Sequence, residues 1–157
     1  MSYINFEKAL RLAKNCDKYE TLGNVTDEKI LEAQDLLNIV FSRQHYEYYK
    51  KVGILSYYGS EYYGISNRNF TGLPGSNAVL LALNDRQEFN LDKNLVPIYF
   101  FDDGLLAYLD YNSLNIYSEP AIVTEFYNGD KYIKEEILAE DLGDFILGLV
   151  DEQLKIQ

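Results

Sequence analysis

The sequence predicts an α+β domain with a mainly antiparallel central sheet flanked by helices, spanning residues 1–157 as a single unit. Three observations predict it. Apolar residues recur at three- and four-residue steps from Phe6 to Tyr49, the period of helices with one buried face. Two turn signals, Asp102-Asp103-Gly104 and Asn128-Gly129-Asp130, each separate a pair of short apolar runs. An apolar stripe at helical spacing then closes the chain. Helices, then hairpins, then a helix is the order of an α+β fold.

The first helix follows from Phe6, Ala9, Leu10, Ala13 and Cys16, which share one face. Thr26 is a candidate N-cap for the second, and Asp27 and Glu28 suit the positive end of its dipole. Ile30, Ala33, Leu37 and Val40 form its stripe, widened by Leu36 and Phe41. Ser42 caps a short third helix carrying Tyr46 and Tyr49, and Gly53 is placed to end it.

From Ile54 the period changes. Glu61 to Ile65 reads as a short strand that Gly64 weakens. The run Ala78 to Leu83 fits either a buried strand or a helix; Ser76 as a cap and the polar tail Asn84 to Gln87 favour the helix. Val96 to Phe101 pairs with Leu105 to Asp110, and Ala121 to Tyr127 with Lys131 to Ile137. Leu142, Phe145, Ile146, Leu149 and Val150 form the last helix, in which Gly143 and Gly148 each cost about 1 kcal/mol relative to alanine.

The totals bound the class. A chain of 157 residues buries roughly 70% of its unfolded surface and needs no second core. No apolar run is long enough for a membrane span, and Met1 to Lys14 lacks the apolar stretch of a secretory signal. A single cysteine fits a reducing compartment, so a cytoplasmic protein is expected. The net charge of −11 is unevenly spread: residues 1–60 are neutral, and residues 61–157 hold six Lys/Arg against seventeen Asp/Glu. Such a field repels nucleic acid and anionic lipid and favours a basic protein partner, although a solubilising surface has the same composition.

Reactive groups are few in kind. One histidine, His45, and one cysteine, Cys16, cannot form a His/Cys metal cluster, and no nucleotide-binding or nucleophile motif occurs, so no cofactor or metal is expected. Cys16, on the apolar stripe, reads as a buried structural thiol. His45 reads as a surface or capping residue. Carboxylates are plentiful: Asp102 and Asp103 are adjacent, with Glu61 and Asp110 on neighbouring elements. Paired carboxylates can serve acid–base hydrolysis, but Asp-Asp-Gly is also what a tight turn needs. Tyrosine is the less ordinary signal, with seven of fifteen between Tyr46 and Tyr63. Adjacent pairs cannot all point inward, so some rings are expected at the surface, where tyrosine is favoured in interfaces. The expected partner-binding set is therefore Tyr48, Tyr57, Tyr58, Glu61, Tyr62, Tyr63, Asp102, Asp103 and Asp110.

Four stretches carry a family resemblance. They are the helix from Thr26 with Ile30 and Leu37; Tyr49-x-x-x-Gly53-Ile54-Leu55 leading into Gly59-x-Glu61-Tyr62-Tyr63-Gly64-Ile65; Val96-Pro97-Ile98 with Asp103-Gly104 and Tyr108-Leu109-Asp110; and Pro120-Ala121-Ile122-Val123 followed by the Phe145 helix. In this order the chain resembles the SUKH superfamily over roughly residues 26–150. It departs from the family at Gln34, Asn38 and Ser42, where glutamate, glycine and proline are common. The resemblance implies a central sheet flanked by helices and a role in neutralising a toxin, often a nuclease or deaminase, by binding. It implies no catalysis. A carboxylate-based hydrolase and a regulatory scaffold module are the alternatives.

Overall fold

The structure is a computed structural model that describes residues 2–101 and 103–155. Helix α1 spans Ser2–Lys14 and is followed by strand β1, Tyr19–Thr21. Helix α2, Asp27–Leu37, begins as the sequence predicts: the Thr26 hydroxyl accepts from the Lys29 N–H at 3.1 Å. It stops four residues earlier than its apolar stripe suggests, because Asn38 turns left-handed at φ 56°. Val40 therefore lies beyond the helix and is 85% exposed, whereas Phe41 is buried. Gln34 closes this exit by accepting the Phe41 N–H at 2.8 Å.

Ser42 caps α3, Arg43–Lys51, through the His45 N–H. The chain then forms β2, Leu55–Tyr57, and β3, Ser60–Tyr62. The ambiguous run resolves as a helix, α4, Ala78–Phe89, capped by Asn77 and not by Ser76. Strands β4, Leu95–Phe100, β5, Leu106–Leu114, β6, Pro120–Tyr127, and β7, Tyr132–Ala139, follow, and α5, Leu142–Lys155, is the last element among the described residues. Asp141 caps α5 by accepting the Asp144 N–H at 2.9 Å.

Among the described residues the sheet has seven strands in the order β1-β2-β3-β4-β5-β6-β7, and every neighbouring pair is antiparallel. The α+β expectation holds. The last four strands form an uninterrupted meander, while α2 and α3 separate β1 from β2 and α4 separates β3 from β4. Side chains alternate across each strand, so the two faces of the sheet differ. One face carries Leu55, Tyr57, Tyr62, Ala107, Leu109 and Ile122, which join the helices in the main core. The opposite face carries a small second cluster of Leu91, Leu95, Tyr108, Ala121 and Val123.

Gly53 and Gly64 mark a close backbone approach. Gly53 has φ +74°, its carbonyl accepts the Ile65 N–H at 3.2 Å, and a Cβ on Gly64 would overlap that carbonyl. Gly64 also pairs with the segment leading into α4: its N–H donates to Ser76 and its carbonyl accepts from Ala78. The glycine that weakens the strand pattern is thus the one residue type this crossing tolerates.

Candidate functional site

The tyrosine cluster divides by burial. Tyr48, Tyr57 and Tyr62 are each 0% exposed and cannot present rings to a partner, a correction to the expected contact set. At Tyr48-Tyr49 both rings are buried although helical neighbours point in different directions, because α3 packs against both α2 and α5. The Tyr48 hydroxyl donates toward the Tyr62 and Tyr63 carbonyls at 3.3 and 3.2 Å, tying α3 to β3, and burial pushes its pKa far up. Tyr58 is the outward member of its pair, 37% exposed and edge-on to Tyr57. Tyr63 is half-buried.

The carboxylates divide in the same way. Glu61 is exposed and accepts the Ser76 hydroxyl at 2.9 Å. Asp103 is exposed in the β4–β5 turn, where it accepts the Leu105 N–H at 3.0 Å, as the turn reading requires. Asp102 lies outside the described residues. Asp110 is only 4% exposed: Lys134 ion-pairs with it at 3.5 Å and the Asn112 N–H donates to it, so it is a poor direct contact for a partner.

Strand register gathers several of these groups on the sheet face opposite the main core. Glu20 pairs with Ser56 and Ser56 with Glu61; farther along, Phe100 pairs with Leu106, Leu106 with Glu125 and Glu125 with Lys134. Antiparallel registry from Tyr62–Tyr99 places Glu61 opposite Phe100, so one row crosses all seven strands. At the usual strand spacing, Glu61 on β3 stands about 14 Å from Glu125 on β6, too far apart for a hydrolytic carboxylate pair.

The β5–β6–β7 end of this face holds a cleft of about 510 Å³, lined by Asp103, Tyr108, Glu125, Tyr127 and Tyr132 among others. Burial raises the Glu125 pKa, the Asp110 charge adds to the rise, and Lys134 partly offsets it. Burial raises Asp85 on α4 as well, against hydrogen bonds from Asn84 and Tyr132. Neither Glu125 nor the cleft tyrosines belong to the expected set. The signal for them was the outward phase of the strands: Leu106, Tyr108 and Asp110 on β5, Val123 and Glu125 on β6, Tyr132 and Lys134 on β7. Among the described residues, no group of three or more His, Cys, Asp or Glu could hold a metal ion.

Two further expectations are corrected. His45 is 0% exposed: its ring lies 4.1 Å from Phe41 and meets Tyr49 edge-on, and Nδ1 is 2.6 Å from the Tyr111 hydroxyl. Its backbone joins the Ser42 cap while its imidazole belongs to the core, where burial lowers the pKa to about 3. Cys16 falls just past α1 and is only half-buried. Burial raises its thiol pKa, but hydrogen bonds from Tyr58, the Lys18 N–H and Tyr57 outweigh this and lower it.

Among the described residues, no helix is long and apolar enough to cross a membrane. No curated protein matches the chain. The SUKH_5 family model, described as SMI1-KNR4 cell-wall, matches residues 7–151, from α1 to the last turns of α5. With the sheet, the capped helices and the Gly53–Gly64 crossing inside that span, the chain belongs to the SUKH family.

Proposed function

We propose that this protein binds and occludes a basic protein partner, as an immunity protein does with its toxin, and that it does so without catalysis in the cytoplasm. The observation that carries the reading is the acidic, partly open sheet face. Glu20, Glu61, Asp103 and Glu125 are spread along one row and its adjoining turn, with exposed Phe100 between them. Charged residues distributed across a face suit steering and matching of a basic surface, and the aromatic rings among them supply contact area. A toxin that handles nucleic acid exposes the lysines and arginines that hold phosphate, and an acidic cover would deny them to it.

The test is co-purification with the toxin domain encoded beside this gene, followed by calorimetry at two salt concentrations. Tight binding that weakens with salt is expected. Binding indifferent to salt would remove the electrostatic argument, and no binding would remove the immunity reading for that pair.

One observation favours a second reading, a carboxylate-based hydrolase: Glu125 has a raised pKa inside a concave site. A hydrolase needs a second free carboxylate beside it, and Asp110, whose charge adds to the rise that burial causes at Glu125, is already ion-paired to Lys134. Turnover of glycan substrates that Glu125→Gln abolishes would favour this reading over the first.

A further inference from the structure

We infer that the cleft between β5, β6 and the β6–β7 hairpin receives an arginine side chain of the basic partner. The inference deepens the binding reading and rests on it for the source of the arginine. Glu125 is 9% exposed and lines the cleft, yet it makes no hydrogen bond or ion pair among the described residues. A carboxylate so enclosed is costly to keep ionised without a counter-charge. Lys134, the neighbouring cation, is engaged by Asp110.

A second observation is independent of charge. Tyr108 is 0% exposed and lines the same cleft; its hydroxyl is directed at Tyr132, which in turn faces Asp85, and its oxygen accepts no hydrogen bond among the described residues. The site therefore holds one acceptor of full charge and one neutral acceptor, both unfilled. Tyr127 and Tyr132, whose ring centres are 5.3 Å apart, supply aromatic wall, and Asp103 stands at the turn that borders the opening.

A guanidinium matches this set better than an ammonium does. It is planar, stacks on tyrosine faces and presents parallel N–H groups to a carboxylate, with donors left over for the Tyr108 oxygen. An ammonium supplies the charge but neither the stacking nor the two-point contact. A volume of about 510 Å³ is ample for one such side chain with water.

The experiment titrates the full chain with N-acetyl-arginine amide and follows tyrosine ring and backbone amide signals by NMR. Saturable shifts centred on Tyr108, Glu125, Tyr127 and Tyr132 are expected. Glu125→Gln, which keeps shape and removes a buried charge, should weaken binding about tenfold, and Tyr108→Phe should weaken it less. N-acetyl-lysine amide should bind more weakly, as should free arginine, whose α-carboxylate meets Asp103. Absent or diffuse shifts, unchanged binding by Glu125→Gln, or lysine equal to arginine would each overturn the proposal. Tighter binding of free arginine would assign the cleft to a free amino acid and overturn the docking role. Since the probe is not the toxin, a failure of toxin binding leaves this result standing. Conversely, a toxin that binds the Glu125→Gln protein undiminished defeats the arginine site alone.

Discussion

Glu125 stands directly opposite Lys134 across the β6–β7 ladder, but the Lys134 ammonium reaches instead to Asp110 on β5, 3.5 Å away. The cation crosses β6 to serve the more buried carboxylate, since Asp110 is 4% exposed and Glu125 borders the cleft. Removing that cation should cost stability because it strands a buried charge. Lys134→Met is expected to lower unfolding free energy by about 1–2 kcal/mol, reduced from the fully buried case because the lysine is half-exposed. Adding Asp110→Asn should recover part of the loss, and a double-mutant cycle by urea denaturation measures the coupling. Additive effects would mean the pair contributes nothing.

Tyr48 and Tyr58 offer a contrast between the two halves of the tyrosine cluster. Tyr48→Phe deletes the hydroxyl that bridges the Tyr62 and Tyr63 carbonyls and should destabilise by about 1 kcal/mol. Tyr58→Ser acts at a partly exposed turn and should change stability by about 0.5 kcal/mol or less. Denaturant midpoints with unchanged slope give both values, and the reverse order would contradict the burial assignment.

His45 should make the fold acid-sensitive at a defined pH. Its folded pKa, about 3, lies below the ordinary histidine value of 6.5, so between these values the unfolded chain binds the proton and the folded chain does not. Stability is fully present above 6.5 and is lost as pH falls below it, by up to about 1.4 kcal/mol per pH unit. Asp85, Glu119 and Glu125 have pKa values raised by burial and oppose the trend as their carboxyl groups take up protons. Urea midpoints between pH 7.5 and 5.5 should therefore fall, and a flat profile over that window would show that His45 titrates normally.

Gly64→Ala should be the most damaging single methyl in the chain. The added carbon overlaps the Gly53 carbonyl, and the backbone bonds to Ile65, Ser76 and Ala78 hold the crossing shut. A loss of about 3 kcal/mol or outright failure to fold is expected, against a small gain for Gly148→Ala, which has open space around it within α5. Thermal melts of the two variants check the ordering.

The departures from related sequences have local physical uses. Asn38, where glycine is common, adopts φ 56°, a conformation asparagine tolerates better than most residues. Ser42, where proline is common, supplies a capping hydroxyl, and Gln34, where glutamate is common, accepts a backbone N–H.

Element type was readable from residues alone wherever the cause is local. Thr26 and Ser42 start helices because a side-chain oxygen reaches an N–H three residues on, and both hairpins follow from turn residues between apolar runs. Family membership was also written in the order of short stretches. The three-residue strands β1 and β2 were not readable, because they carry too few residues to show alternation and exist through pairing with each other. Nor was the facing of His45, Tyr48, Tyr57 or Tyr62, since a helix or strand shows which residues share a face but not how many faces are covered. The cleft is the clearest case. Asp103 and Tyr108 share the β4–β5 hairpin, but Glu125 on β6 and Tyr132 on β7 come later in the chain, and only strand register brings them to the same opening.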